Sequence, residues 1–407
     1  MEKINSQTMK MNNARIVLDA VRKRAPISRA DLAKELGLTS PAVTNIVAAL
    51  IKNNILLEIG VANASKGRRP IMLDINPEAY YLAGAVLTTD GISFVLCDFK
   101  ARPVMNYEVE VDRYAPKEAI LDNIVQGVEY LLKKSGIEKD RVLGLGVAAP
   151  GPLDSRNGIL INPPNFPDLK NVAICSILEE RLKIPCCCDR ETNAAALAEA
   201  GFGMAASYKT MFYLMMFKQS IGGSLVTNAN VIHGFKDGAG EIGHMLIEPN
   251  GPRCTCGQYG CLEAMVKGEA LINEARTRIK LMDNCNLPVP CDVEALRLED
   301  IFRLSDLGIP LFVDIIDKAA RTIAIALGNV VTLFSPELIV LGGTLPSLSE
   351  RFVERIRTYT RGRKYPQHAK DVLIEASPLL GTLGCEIGAA VLALEAFEEK
   401  LCADPQE

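Results

Sequence analysis

The sequence lacks any long apolar run and any recognisable export signal. No stretch of about 18 uncharged apolar residues occurs in the 407-residue chain, so a membrane-spanning helix is not expected. The opening residues, MEKINSQTMKMNN, do not have the charged-then-apolar order of a signal peptide. We therefore expect a cytoplasmic protein without membrane insertion. Its 48% hydrophobic and 23% charged residues are typical of two or three globular domains.

Net positive charge is confined to the N-terminal segment. Residues 1–70 hold twelve Lys and Arg against five Asp and Glu, a balance of +7, whereas the rest of the chain carries −11. A basic segment on an acidic body indicates that only this segment meets a polyanion such as DNA.

Residues 27–54, ISRADLAKELGLTSPAVTNIVAALIKNN, predict a helix-turn-helix. Ser28 is the expected N-cap of the first helix, with Asp31 in its first turn, and Gly37 can end that helix in a left-handed conformation. Ser40 is the expected second N-cap, with Pro41 at the first helical position. One face of the second helix is apolar at helical spacing, through Val43, Ile46, Val47, Leu50 and Ile51.

The opposite face of the second helix carries short polar side chains that suit a major groove. Two alternating runs, ILLEIG and RRPIMLDINP, predict a hairpin wing whose basic tip can contact phosphates or a minor groove. A helical hairpin with a solvated face and a solvated basic loop are the alternatives. The predicted DNA-binding residues of this winged helix-turn-helix are Ser40, Pro41, Thr44, Asn45, Lys52, Lys66, Arg68 and Arg69.

A cysteine motif with a nearby histidine predicts a metal site. Cys254, Cys256 and Cys261 form C-x-C-x4-C, and His244 lies upstream. Three thiolates and an imidazole suit tetrahedral Zn²⁺, and the intervening glycines permit a tight wrap. A redox pair is disfavoured because no C-x-x-C arrangement occurs here. Four protein ligands leave no open coordination position, so the predicted zinc is structural.

From residue 81 onward, short β-rich runs alternate with helical patterns, which predicts a mixed sheet with covering helices in each of two units. Five stretches occur in order at fitting spacing: GVAAPGPLDSRNGILINPPN, TNAAALAEAGFG, GAGEIGHM, CTCGQYGCLEA and SPELIVLGG. Together they resemble the ROK family of sugar kinases and sugar-responsive repressors. With the N-terminal segment, the chain is similar to the family's xylose-repressor and N-acetylglucosamine-repressor branch.

This resemblance implies an α/β fold: a winged helix-turn-helix followed by an actin-like, ribonuclease-H-like body of two lobes with sugar bound in the cleft. The expected DNA-binding domain is residues 1–79, and the body is residues 80–407. Lobe 1 is expected at about 80–190 together with about 380–407, and lobe 2 at about 191–379.

The resemblance also implies the effector site. The family's motif histidine, here His244, coordinates zinc through one ring nitrogen and directs the other at a sugar hydroxyl. Glu241 and Glu263 match sugar-binding positions, although each taken alone is more typical of a solvated charge. Gly151 and Asn165 match positions that line the same cleft. Carboxylates can read sugar stereochemistry because they accept hydrogen bonds from paired hydroxyls.

The general base and the phosphate-binding loops that a sugar kinase needs are damaged in this chain, although Gly222 and Gly223 of the second loop persist and Glu191 could still act as a base. Where kinases of the family have Asp followed by Gly-Gly-Thr, this sequence reads Val86, Leu87, Thr88, Thr89, Asp90. Arg190 and Glu191 stand where those kinases have the catalytic Asn-Asp pair. A longer carboxylate arm shifts a general base by more than the roughly 1 Å that can cost 10²-fold in rate. We therefore expect no enzymatic activity, and we place both residues in the effector site.

Arg190 leaves the effector class open. A fixed cation favours an anionic ligand such as a sugar phosphate or uronate. Alternatively, Arg190 pairs with Glu191 or Glu241 and reshapes a site for a neutral sugar.

The favoured interpretation is a sugar-responsive transcriptional regulator, a repressor that binds a palindromic operator as a homodimer or homotetramer. One alternative is an ATP-dependent ROK sugar kinase. A second is a platform that docks on a transporter subunit instead of binding sugar.

Overall fold

The structure is a computed structural model, and it describes residues 6–61, 70–89, 91–164, 166–282, 292–363, 366–379 and 383–401. The chain divides into two compact units. Unit 1 comprises Met1–Ala194 and Cys385–Glu407, and unit 2 comprises Ala195–Gly384. The predicted boundaries at residues 79, 190 and 379 stay predictions. Within the described ranges, no helix combines the length and apolarity needed to cross a membrane.

The N-terminal part of unit 1, residues 6–79, is called the head and has three helices and a small sheet. The sheet order is β1-β3-β2, and both pairings are antiparallel. The predicted helix pair and hairpin are confirmed, whereas the short strand β1 was not predicted. The elements are α1 (Ser6–Arg24), β1 (Ile27–Ser28), α2 (Arg29–Leu36), α3 (Ser40–Lys52), β2 (Leu56–Val61) and β3 (Ile71–Ile75).

The helix ends of the head follow from local hydrogen bonds. Ser28 caps α2 by accepting from the Asp31 N–H at 3.2 Å, and Gly37 ends α2 at φ 64°, as predicted. The cap of α3 was predicted one residue too late. Thr39 stays extended and its hydroxyl accepts from the Ala42 N–H at 3.4 Å, so Ser40 is already the first helical residue.

The rest of unit 1 is built on a five-stranded sheet in the order β6-β5-β4-β7-β10. Strands β4, β5 and β6 are antiparallel, and β7 and β10 run parallel to β4. The strands are β4 (Tyr81–Thr88), β5 (Gly91–Asp98), β6 (Pro103–Val109), β7 (Val142–Ala149), β8 (Leu153–Asp154), β9 (Ile159–Leu160) and β10 (Cys186–Arg190). The helices are α4 (Lys117–Ser135) and α5 (Ile174–Leu182), and the C-terminal helix described below returns to this unit. Helix α6 (Glu191–Phe202) begins in unit 1 and continues into unit 2 after Ala194.

Unit 2 repeats this topology, with the order β13-β12-β11-β14-β15 and the same senses of pairing. Its strands are β11 (Thr210–Met216), β12 (Ile221–Thr227), β13 (Asn230–Val231), β14 (Leu338–Gly342) and β15 (Leu373–Ala376). Its helices are α7 (Leu262–Val266), α8 (Gly268–Lys280), α9 (Leu298–Asp306), α10 (Pro310–Phe334), α11 (Thr344–Ser347) and α12 (Glu350–Arg361). The C-terminal helix α13 (Gly384–Phe397) is followed by a 3-10 helix, Glu398–Leu401.

If the strands of each sheet are numbered in chain order from 1 to 5, their spatial order is 3-2-1-4-5 in both units. This shared order confirms the predicted ribonuclease-H-like fold. In unit 2 the connection from β13 to β14 contains the cysteine motif and four helices. The long helix α10 has thirteen buried residues and packs against α8, α9 and α12. Helix α10 also packs against α7, which begins directly after Cys261 of the predicted metal site.

Candidate functional site

The four predicted zinc ligands come together in unit 2. One potential ligand atom from each of His244, Cys254, Cys256 and Cys261 lies within 4.8 Å of all the others. We call these four residues the metal cluster. Among the described residues, no other group of His, Cys, Asp or Glu side chains converges in this way.

Two distances in the metal cluster match tetrahedral zinc. Cys254 Sγ lies 3.6 Å from His244 Nδ1, and Cys256 Sγ lies 3.7 Å from Cys261 Sγ. Zn–S bonds of about 2.3 Å and a Zn–N bond of about 2.0 Å, at tetrahedral angles, place two sulfurs about 3.8 Å apart and a sulfur and a nitrogen about 3.6 Å apart. A disulfide is excluded because its sulfurs would lie about 2.05 Å apart.

The loop between His244 and Cys261 is shaped by its own backbone. His244 ends a 3-10 helix, Ile242–His244, and bridges join Leu246 to Cys261 and Arg253 to Tyr259. Gly260 has φ 71°, and a Cβ there would lie 1.6 Å from the Glu248 carbonyl oxygen. Only glycine fits this position, and the close crossing brings Cys261 back toward His244.

The electrostatics of the metal cluster favour a cation. Cys254 and Cys261 are buried, while Cys256 is exposed. Burial raises the pKa of the Cys261 thiol to about 12, and a hydrogen bond from the Gln258 backbone lowers the pKa of Cys256. Neighbouring thiolates repel one another, so three can coexist here only when a bound cation compensates their charge. The residues present therefore fit a divalent metal.

Glu263 lies beside the metal cluster and is held by two hydrogen bonds. It is 7% exposed, its Oε2 accepts from the Ile221 N–H at 3.1 Å, and its Oε1 accepts from the Thr255 hydroxyl at 3.4 Å. Sequence reasoning did not find Thr255 or the Ile221 amide, because neither position has a chemical signature by itself. Glu241 is exposed and immediately precedes the 3-10 helix of His244. With Nδ1 of His244 facing Cys254, its Nε2 is the ring nitrogen left for another partner.

Three of the remaining predicted effector residues lie in unit 1. Arg190 is the last residue of β10 and is 6% exposed, and Glu191 begins α6. A Cβ on Gly151 would lie 3.2 Å from Arg190 Cδ, so the structure brings these two predicted residues together. Asn165 lies outside the described residues.

A buried aspartate that sequence reasoning missed organises the end of β10. Asp189 is 3% exposed, and its Oδ1 accepts from the Arg190 N–H and from the Asn193 side-chain amide, both at 2.7 Å. These bonds fix the turn from strand to helix at which Arg190 and Glu191 stand. The signal available in the sequence was a pair of charged residues, Asp189 and Arg190, at the end of a strand that begins with three cysteines.

The predicted DNA-reading face of α3 is open to solvent. Its five predicted residues are all exposed: Ser40, Pro41, Thr44, Asn45 and Lys52. Val43, Val47 and Leu50 are buried on the opposite face. The Thr44 hydroxyl donates to the Ser40 carbonyl at 2.8 Å, so its oxygen can accept a bond from a base edge. The predicted wing-tip residues Lys66, Arg68 and Arg69 lie outside the described residues.

Comparisons with known proteins cover most of the chain. The ROK family matches residues 91–396, and a winged helix-turn-helix DNA-binding family matches residues 13–56. A xylose repressor of Bacillus spizizenii is 27% identical over 389 residues, covering 96% of each chain. The transcriptional dual regulator NagC of Escherichia coli is 26% identical over 344 residues, covering 84% of this chain and 82% of that protein.

Two crystal structures with this fold differ in how much of the chain they match. A ROK family transcriptional regulator, a homologue of the E. coli Mlc protein, has a TM-score of 0.83 at 26% identity, covering 97% of this chain and 98% of its own. A ROK hexokinase from Thermus thermophilus has a TM-score of 0.66 at 29% identity. It covers 78% of this chain and 99% of its own.

Proposed function

This chain belongs to the ROK family, and we propose that it is a sugar-responsive transcriptional repressor that binds operator DNA through its head. The observation that carries this proposal is the open face of α3 on a head that the repressor relatives share. The matching regulator covers 97% of this chain. The hexokinase covers only 78% of this chain, although 99% of the hexokinase itself is matched. The head is thus part of what makes this chain similar to regulators.

We propose that Zn²⁺ occupies the metal cluster as a structural ion. The two ligand distances and the donor set of three thiolates and one imidazole support zinc over harder cations, which prefer oxygen ligands. When bound, zinc would fix the tautomer and direction of His244 through Nδ1.

The proposed sugar-reading wall in unit 2 consists of Glu241, His244 and Glu263. The free Nε2 of a metal-fixed histidine has a defined hydrogen-bonding role, and the Glu263 carboxylate is held in place by Thr255 and the Ile221 amide. A rigid acceptor beside a rigid ring nitrogen can discriminate hydroxyl stereochemistry, because a misplaced hydroxyl leaves a buried polar group unpaired. In unit 1, Arg190, Glu191 and Gly151 stay predicted effector residues.

We propose that the chain is not a kinase. Arg190 and Glu191 replace the catalytic pair, and a buried guanidinium at this position adds charge where a kinase of the family places a neutral amide. Sugar-dependent formation of ADP, lost in Glu191→Gln, would establish the alternative. Three further features stay predictions. They are assembly as a homodimer or homotetramer, a palindromic operator, and a transporter-subunit partner.

A DNA-binding experiment tests the repressor proposal. The full-length protein is used to select binding sequences from random duplex DNA, and affinity for the selected duplex is then measured by fluorescence anisotropy at fixed salt. Thr44→Ala and Asn45→Ala should weaken binding by about 10-fold or more, since each lost base contact is worth about 1–3 kcal/mol. Failure of selection to recover any sequence would contradict the proposal.

The chain offers a matched control for Thr44. Thr277 is an exposed threonine of α8 in unit 2 whose hydroxyl donates to the Asn273 carbonyl at 2.8 Å, the same distance and spacing as the Thr44 bond. Thr277→Ala removes the same chemical group from a helix surface outside the head. It should leave DNA affinity unchanged.

A further inference from the structure

Arg22 belongs to the basic head, yet its side chain is only 10% exposed and faces away from solvent. It lies near the end of α1 and pairs with Glu398, whose side chain is 7% exposed. Its other terminal nitrogen lies 3.2 Å from Asp19 of the same helix, and its guanidinium carbon lies 5.7 Å from the centre of the Phe99 ring. One cation of the head is therefore used inside the protein and is not available to DNA.

The three partners of Arg22 come from separate segments. Asp19 is in α1, Phe99 is in the turn between β5 and β6, and Glu398 opens the 3-10 helix that follows α13. Arg22 and Glu398 are 376 residues apart in sequence. A single guanidinium thus joins the head to two segments of the body of unit 1.

The strand side of the head rests on the same turn. Lys100 Nζ lies 2.7 Å from Asp74 Oδ1 of β3, and each of these side chains is 21% exposed. The Phe99 N–H donates to the Pro77 carbonyl at 2.9 Å. Phe99 itself is fully buried. The turn therefore supports β3 on one side and Arg22 on the other.

Helix α13, which leads directly into the 3-10 helix of Glu398, packs closely on the sheet of unit 1. A Cβ on Gly146 of β7 would lie 1.8 Å from the Ala389 carbonyl oxygen, and one on Gly84 of β4 would lie 2.5 Å from the Glu386 carbonyl oxygen. No side chain separates α13 from the strand backbone at these points. The Ser93 hydroxyl also donates to the Glu386 carboxylate at 2.7 Å.

Helix α13 links the unit boundary to the head. It begins at Gly384, the last residue of unit 2, and the 3-10 helix beyond its end holds Arg22. Both charges of the Arg22–Glu398 pair are largely buried, so removing Arg22 takes a counter-charge from Glu398 in a poorly hydrated place, and removing Glu398 leaves Arg22 with the carboxylate of its own helix, Asp19. The Arg22–Glu398 pair therefore resists separation of the head from the 3-10 helix that follows α13.

We propose that Arg22 is a positioning residue for operator binding: it fixes the head to the C-terminal helix, so that head placement follows that helix. This inference rests on the proposed function, since head placement matters only if the head reads DNA. In an assembly with two heads, a fixed placement selects one spacing between operator half-sites. A head on a loose tether would accept several spacings.

The test measures spacing preference separately from half-site affinity. Duplexes carry the half-site selected by the wild-type chain, either alone or as palindromes whose centres differ in steps of one base pair. Wild type should prefer one spacing by about 10-fold or more over spacings two base pairs away, because heads fixed to a body match one helical phase. Arg22→Gln and Glu398→Gln should reduce that preference to about 3-fold or less while changing affinity for the isolated half-site by less than about 3-fold. Spacing preference as sharp as wild type in both variants would overturn the inference.

Arg181→Gln is the matched control. Arg181 pairs with Glu118 and Asp122, which joins α5 to α4 within the body of unit 1 without involving the head. The Arg181→Gln variant loses the same charge as Arg22→Gln and should keep the wild-type spacing preference.

Hydrogen exchange of the full chain decides the role of Arg22 without DNA. In Arg22→Gln, amides of α1 should exchange on the order of 10-fold faster than in wild type, while those of α4 and α5 stay unchanged. Unchanged protection of α1 in both variants would overturn the inference. If Arg22→Gln unfolds the whole head, Glu398→Gln decides, since it alters no residue of the head. If wild type binds no DNA, the proposed function fails, and exchange alone tests the attachment.

Discussion

Cys254 Sγ lies 3.6 Å from Nδ1 of His244, which commits one nitrogen of the ring to the metal cluster and leaves the other for a ligand. The proposed zinc ion and the proposed sugar-reading wall would thereby share one side chain. Loss of the metal should disorient His244 even if every residue of the wall is intact.

The first prediction concerns zinc content. Cys261→Ser should reduce bound zinc from about one ion per chain to a small fraction after dialysis and should lower the thermal stability of the protein, since structural zinc contributes directly to folding. Plasma emission spectrometry and calorimetry measure the two effects. Cys187→Ser, in β10, is the control and should retain its zinc. Full zinc occupancy in Cys261→Ser would contradict the assignment of ligands.

The second prediction concerns the charge of the effector. The buried guanidinium of Arg190 leads us to expect that a sugar phosphate or uronate binds more tightly than the neutral sugar. A charge-assisted hydrogen bond is worth about 1.5–3 kcal/mol, so Arg190→Asn should weaken binding of the anionic ligand by about 10-fold or more. Calorimetry with paired neutral and anionic sugars measures this. Tight binding of a neutral sugar, with no gain from a phosphate, would favour the alternative pairing of Arg190 within the protein.

The third prediction concerns the packing of α13 against the backbone of β7. Gly146→Ala would place a methyl group 1.8 Å from the Ala389 carbonyl oxygen, a backbone atom that cannot rotate away. The helix must shift, at a cost to the free energy of unfolding of about 1–3 kcal/mol or more. Gly201→Ala, in α6, has no neighbour within 4 Å and should leave stability unchanged or slightly raised. Equal unfolding midpoints in urea for both variants would show that α13 does not pack closely against β7.

The fourth prediction concerns pH. Glu199 in α6 is 1% exposed, pairs with the Ser377 hydroxyl and accepts from the Met204 N–H at 3.1 Å. Burial raises its pKa above the ordinary 4.5, against the lowering effect of these bonds. The folded state therefore holds the proton more tightly than the unfolded chain. Its contribution to stability is complete below pH 4.5 and is lost as pH rises through the raised folded value.

Glu199→Gln should remove that part of the pH dependence. The free energy of unfolding, measured in urea across the mildly acidic to neutral range, should fall less steeply with rising pH in the variant than in wild type. Glu299→Gln, at an exposed position of α9, controls for the loss of one carboxylate. Parallel curves for wild type and Glu199→Gln would contradict this assignment.

The head and the metal cluster were predictable because their signals are local. The Ser28 cap, Gly37 and the apolar stripe of α3 each act within a few residues, and closely spaced cysteines must meet wherever the loop folds. The misplaced cap at Ser40 shows the limit of this reasoning, since Thr39 and Ser40 are both good caps and the backbone angle at Thr39 decides between them.

The interactions that sequence reasoning missed are long-range. Arg22 is one of the twelve basic residues of the N-terminal segment, and nothing near it in sequence indicates Glu398 or Phe99. Similarly, Asp189 and Glu199 acquire their roles from atoms that only the fold brings within reach. The shared strand order of the two units follows from pairings between distant segments, which local patterns do not encode.

The most direct test of the central claim is a titration of the operator complex with sugar. Full-length zinc-loaded protein is bound to its selected duplex, and neutral sugars, sugar phosphates and uronates are added while anisotropy is followed. One class should change operator affinity by about 5-fold or more, the usual scale of coupling between two sites, and Glu263→Gln should abolish the response while sparing DNA affinity. Operator affinity that no sugar changes, in protein shown to bind that sugar, would contradict a sugar-responsive repressor.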